Sequence, residues 1–390
     1  MFRCSLSICI LLISIVYSYP SDNFNIDGTT NNGWEFVHDL FKENFIKQRD
    51  LGASLAVYHQ GEVVVDLWGG WFDRSHTKSY DNNTLQLVFS STKGVVAIAA
   101  ALCVQRGLLD YSELVTKYWP EYGKYGKENT TVADILSHRA GLPSVETPPE
   151  QTINWTAMIH ILENSTPQWR PGTAFSYHAL TYGWLAGELI RRVDPKKRSV
   201  GQFVQDEVAR PLELEIYIGL PSEQNHRVSP LSFDSETLSS LNETMQTLFT
   251  MYNSPALHAA EIPAANGITN ARSLARLYAS LLTDLNNGKY KRLLNEDILK
   301  QAIKSNTHEG ELDFFSNISL PFGMGFMLLD QAIPSFKSQI FGHPGAGGSI
   351  GFAVPAKNLS FAFVMNQLDV NSVDYPRIQT ILKEVAEKIQ

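Results

Sequence analysis

Ser90 and Lys93 stand three residues apart in the stretch FSSTKGV, a spacing that sets a hydroxyl and an amine on one face of a helix. A serine hydroxyl is a weak nucleophile until a base takes its proton, and a lysine serves as that base only when burial lowers its pKa. The residues behind the pair suit that demand: Val95, Val96, Ala99, Leu102 and Cys103 mark an apolar face of a helix running from Ser90 to about Arg106, stopped by Gly107. Its N-terminus favours developing negative charge. The same SxxK pattern occurs at Ser75 to Lys78, but in a polar stretch with Asp73, Arg74, Asn82 and Asn83 and no apolar run behind it. That second match is read as chance. In isolation the first is also compatible with a helix cap followed by a solvated lysine.

A rival nucleophile is Ser349, because Gly347 to Gly351 spells GxSxG, the elbow that joins a strand to a helix in α/β-hydrolases. Phe352, Ala353, Val354 and Pro355 follow it and read as strand, so its glycines are assigned to close backbone approach to a substrate. There is no HExxH and no cysteine cluster, and the ten histidines are scattered, so no metal and no cofactor is expected. His138 reads as a satisfied core histidine.

Three motifs in order, FSSTKGV at 89–95, PGTAFSYHAL at 171–180 and GHPGAGGS at 342–349, resemble those of the serine β-lactamase, penicillin-binding protein and family VIII carboxylesterase superfamily. TVADILSHRAGL at 131–142 and NGITNARSLARLY at 266–278 support the resemblance, which covers roughly residues 34 to 389. It implies that Ser90 is the nucleophile, with Lys93 and Tyr177 handling protons, and that the N–H groups of Ser90 and Ala346 form an oxyanion hole. A phenol beside a buried ammonium is expected to have its pKa lowered. The usual Tyr-x-Asn reads Tyr177, His178, Ala179 here, and the usual Lys-Thr-Gly reads His343, Pro344, Gly345. His343 and Gly345 are thus the candidate substrate contacts. The lost amide, ammonium and hydroxyl disfavour amides and carboxylate-bearing substrates and favour an uncharged ester.

The elements that must position these residues imply an α+β fold. A helix is expected from Trp34 to Phe45, then a hairpin of Gly52 to Tyr58 and Glu62 to Trp68. The middle is mainly helical, including Tyr177 to Val193 and Ala271 to Leu282. Strands return at Met324 to Leu329, Ser349 to Val354 and Leu359 to Met365, before a last helix from Pro376 to Ile389 begun by Asp374. An antiparallel sheet built from both chain ends (about 34–90 and 283–390), with an inserted helical part (about 91–282), follows. A separate all-helical central domain is the alternative.

Residues 1–18 read as a signal peptide, with Arg3 before the short apolar run Ile8 to Val16 and cleavage near Ser18, leaving residues 19–390 as one catalytic domain. Sequons at Asn82, Asn129, Asn154, Asn164, Asn242, Asn317 and Asn358 fit a secreted glycoprotein. Only Cys103 remains after cleavage, so stability must come from a core, which a 44% hydrophobic chain can supply. The net charge of −8 argues against nucleic acid and anionic membranes as partners, and no membrane span is expected in the mature chain. The sequence therefore points to a small-molecule ester or amide substrate, the ester favoured. An amidase, peptidase or β-lactamase of the same superfamily, or a secreted binding protein that kept the fold, are the alternatives.

Overall fold

The computed structural model describes residues 16–18, 24–233, 237, 239, 241–369 and 375–390. Strands β1 (Val16–Ser18), β2 (Asp27–Asn31), β3 (Gly52–His59), β4 (Glu62–Gly70), β5 (Met327–Leu328), β6 (Phe341–Pro344), β7 (Ile350–Val354) and β8 (Leu359–Met365) form one sheet. Their order is β1-β2-β4-β3-β8-β7-β6-β5, antiparallel throughout. The chain ends meet at its centre, where β3 pairs with β8 from Ala53 opposite Met365 to His59 opposite Leu359. The expected α+β sheet assembled from both ends is therefore the observed one.

Helices α1 (Glu35–Ile46), α2 (Ser91–Gln105), α3 (Thr181–Val193), α4 (Ala271–Ala279) and α5 (Gln379–Lys388) complete the layers. Because side chains alternate across a strand, β8 faces two ways: Phe363 meets Phe41 of α1, whereas Ser360 Oγ donates to the Ala275 carbonyl of α4 at 2.8 Å. Both faces are covered, which is why β8 and nearly all of β3 are buried. Helix α2 lies between this sheet and α3, buried from Ser91 to Cys103.

Several boundaries differ from the sequence pattern. Helix α3 begins at Thr181, so Tyr177, His178 and Ala179 lie in irregular backbone, held open by contacts described below. Helix α4, which the pattern groups with the helical part, packs on the sheet through Leu274 against Gly351. Only Met327 and Leu328 of the 324–329 run form strand, and the last helix starts at Gln379. Asp374 lies outside the described residues. So do residues 1–15 of the segment expected to be a signal peptide, whose Val16–Ser18 forms an edge strand opposite Thr29–Asn31.

Candidate active site

Ser90 is the N-cap of α2 and is half-buried, at the floor of a cleft of about 390 Å³ that Tyr177, His343, Gly345 and Ala346 also line. Phe89 before it takes φ 44°, a left-handed conformation that costs a non-glycine residue roughly 1–2 kcal/mol. Its ring is locked against Phe249 and Tyr252, so packing holds the turn in place.

Lys93 has no exposed surface. Its Nζ lies 3.1 Å from Ser90 Oγ, 2.8 Å from the Ala179 carbonyl and 2.9 Å from the Ala264 carbonyl. Burial drives its pKa well below the ordinary ammonium value. A neutral amine has two N–H donors and one lone pair; the two carbonyls take the donors, and the lone pair is left facing Ser90 Oγ. No carboxylate forms an ion pair with Lys93 among the described residues to hold the proton. The Ala264 carbonyl is itself placed by Asn266, whose side chain accepts from Ile262 N–H and donates to the carbonyls of Leu257 and Ala260. That gives the NGIT segment a positioning role.

Tyr177 presents its phenol to the Ser90 hydroxyl, and Lys93 Nζ lies 4.8 Å from its ring centroid. The phenol pKa is raised by burial, and not lowered as the sequence argument expected. The expectation assumed a neighbouring ammonium, and the same burial disfavours that ammonium. Asp313 fixes the Tyr177 backbone: its carboxylate accepts from Tyr177 N–H at 2.7 Å and from Ser176 Oγ at 3.0 Å. N–H groups of Phe315 and Ser316 complete the set, and these bonds outweigh burial and depress the Asp313 pKa. His178 is wired inward, with Nδ1 at 2.6 Å from the Ser176 carbonyl and Nε2 accepting from Leu142 N–H. His138 Nδ1 accepts from His178 N–H, so both histidines are structural.

His343 is 1% exposed, and burial lowers its pKa to about 3, so the imidazole is neutral. Its Nδ1 is 2.7 Å from the Pro344 carbonyl, whereas Nε2 has no hydrogen-bond partner. Gly345 brings β6 against the nucleophile turn, since a Cβ there would stand 2.1 Å from the Val88 carbonyl. Gly347 takes φ 84°, and its Cβ would strike Leu368 at 2.4 Å. Both glycines therefore let neighbouring protein approach closely, and both also line the cleft. Arg377 also lines the cleft, donating to the Gly347 carbonyl at 3.1 Å and standing 3.2 Å from Asp50.

The rival serines fall away from this cluster. Ser349 Oγ is buried and strand follows at once at Ile350, with no helix behind it, and Ser75 is an exposed turn residue bonded to Asp73 and Thr77. Cys103 is buried, its thiol pushed up to about 12 by desolvation, as a packing residue should be. Among the described residues no His, Cys, Asp and Glu grouping could hold a metal ion. Asp313, Ala264 and Arg377 were missed in the sequence because each is distant in the chain and reaches the site only by folding.

A hydroxyl, a buried amine and a phenol converging at one helix N-terminus beside this sheet define a serine hydrolase of the β-lactamase-like class. The chain belongs to the beta-lactamase family, whose profile matches residues 37–385. It is 32% identical over 375 residues to the esterase/beta-lactamase LipL of Mycobacterium tuberculosis, covering 90% of this chain and 85% of that protein. Among solved structures it is similar to a family VIII carboxylesterase, with TM-score 0.85 and 31% identity over 94% of this chain and all of the other. A penicillin-binding protein homologue from Caulobacter crescentus gives TM-score 0.81 and 33% identity over 94% and 100%.

Proposed function

We propose that the chain is a secreted esterase that hydrolyses uncharged esters through an acyl-enzyme on Ser90. The neutral Lys93 amine takes the Ser90 proton as Oγ attacks the ester carbonyl carbon, and the N–H groups of Ser90 and Ala346 receive the developing oxyanion. When the tetrahedral adduct collapses, the leaving alkoxide takes the Tyr177 phenol proton, and the Lys93 ammonium returns one to Tyr177. Water then repeats the sequence in reverse and frees the acid.

The observation that carries the ester preference is the neutral, buried His343 where an ammonium would bind a substrate carboxylate. Ala179 adds to it, because its exposed methyl replaces an amide side chain. Each missing polar partner costs an amide or carboxylate substrate about 1–3 kcal/mol. Kinetics of p-nitrophenyl butyrate against a chromogenic cephalosporin test this, together with peptide mapping after a fluorophosphonate probe. A cephalosporin kcat/KM equal to the ester value, or label on Ser349, overturns the reading. A β-lactamase reading has one observation behind it, the Arg377 cation in the cleft, but that guanidinium is already engaged by Asp50 and Gly347.

Secretion rests on the leader and the seven sequons. Six of those asparagines are exposed and Asn358 is half-buried, which suits modification. No helix among the described residues is long and apolar enough to cross a membrane. Protein secreted from eukaryotic cells is expected to begin near Tyr19 and to lose mass on glycosidase treatment; a retained Met1 or an unchanged mass refutes the corresponding half.

A further inference from the structure

One short loop holds four large apolar side chains in solvent: Leu312, Phe314, Phe315 and Ile318 are 44%, 56%, 61% and 57% exposed. Nine large hydrophobic residues are so exposed among the described ones, and these seven positions hold four of them. Single exposed hydrophobes are ordinary, whereas a contiguous cluster marks an interaction surface. The loop is firmly attached. Asp313 points inward, 3% exposed; two of its four accepted bonds tie the loop to Ser176 and Tyr177, and two, from Phe315 and Ser316 N–H, brace the loop internally. Phe314 N–H donates to the Phe175 carbonyl at 2.9 Å, and Trp169 backs the Phe314 ring at 5.3 Å between centroids. Two residues beyond the cluster, Leu320 lines the cleft itself.

We propose that loop 312–318 docks the enzyme on a neutral lipid–water interface and so presents the cleft to water-insoluble esters. This rests on the ester reading of the site and narrows its substrate class. Two features favour a lipid or ester phase over a protein partner. The patch is continuous with the rim of the cleft, and a fluid phase can cover it while still feeding substrate into the cleft. The only ionisable side chain in the loop is the inward Asp313, so the tip carries no charge to pair with a partner. A chain of net charge −8 is repelled by anionic headgroups, which leaves a zwitterionic or uncharged surface. Aromatic and aliphatic tips of this kind insert shallowly at the acyl boundary.

Asn317 lies on the same tip, so a glycan there would stand between loop and surface. The test therefore uses the full secreted chain after enzymatic removal of N-glycans, beside its Phe314→Ser/Phe315→Ser variant. Both side chains are exposed, so the variant is expected to fold, which circular dichroism checks. The expected result is flotation of the wild type with phosphatidylcholine vesicles and a rate on tributyrin that climbs past its solubility limit. The variant is expected to lose roughly tenfold or more of both, with kcat/KM on dissolved p-nitrophenyl acetate unchanged. Absence of wild-type flotation, or a variant that floats equally well, overturns the proposal. A wild-type dimer that the variant converts to monomer, without vesicle binding, also overturns it, in favour of a second copy as occupant. Flotation that depends on the Phe pair in a protein inactive on every ester would support docking and retract the ester substrate.

Discussion

Gly345→Ala isolates the contact that joins the two proposed oxyanion donors. Gly345 has φ −111° and ψ 153°, which alanine adopts freely, so the substitution acts by bulk alone. Its Cβ would stand 2.1 Å from the Val88 carbonyl, where no contact below 3.0 Å is tolerated, so strand and turn must part by roughly 0.9 Å. The obstacle is backbone on both sides and has no rotamer to move. Val88 O also accepts the Ser91 N–H at 3.2 Å, so the displacement passes into the first turn of α2. Ala346 adjoins the substituted residue and Ser90 lies two residues from Val88, so the donors separate by about the same distance. A misplacement of about 1 Å costs on the order of 10²-fold in rate, and overpacking costs about 1–3 kcal/mol in stability. The assay is kcat/KM on p-nitrophenyl butyrate together with the second-order rate of fluorophosphonate labelling. Gly107→Ala serves as control, because nothing lies within 4 Å of its Cβ, and its φ of 69° should cost stability without touching activity. A folded Gly345→Ala protein within about threefold of wild type in both rates would refute the reasoning.

Lys93→Arg keeps a cation that cannot deprotonate, so activity is expected to fall roughly 10²- to 10⁴-fold at every accessible pH. The wild-type kcat/KM, in contrast, should decline as pH drops through the lowered Lys93 value; recovery of the variant in alkali would count against an amine base. Asp313→Asn replaces one acceptor oxygen with an amide N–H2 donor and should lower kcat more than KM rises, with about 1.5–3 kcal/mol lost in thermal denaturation; an unchanged kcat with equal loss of stability would reduce Asp313 to scaffolding. Asp50 has its pKa raised to about 6 by burial despite Arg377. The folded state therefore binds this proton more tightly than the unfolded chain, and the contribution is full at low pH and is lost as pH rises through about 6. Wild type should gain roughly 1 kcal/mol relative to Asp50→Asn between about pH 7 and 5 in urea titrations; a loss over that interval contradicts the assignment.

Much of this was legible before folding. The helix behind Ser90 could be read because, Lys93 apart, the residues from Ser91 to Cys103 are apolar or small enough to be buried together. The strands at 52–59 and 359–365 were legible because β-rich composition and turn residues are local signals. The α3 boundary was not. Nothing local stops a helix at Tyr177; what opens the backbone there is Asp313, bonding Tyr177 N–H from 136 positions away.

The same division holds at the active site. The sequence by itself determined which functional groups are available: a hydroxyl and an amine one helical turn apart, a later tyrosine, a histidine where an ammonium is usual, and an α+β fold closing both chain ends. Protonation states were decided by the tertiary structure alone. A lysine is cationic until its surroundings remove water, and it was burial beneath distant segments that pushed the Lys93 pKa down and by the same desolvation pushed that of Tyr177 up. Spacing along a chain records which atoms can meet, whereas the dielectric around them exists only once distant segments have closed over the site.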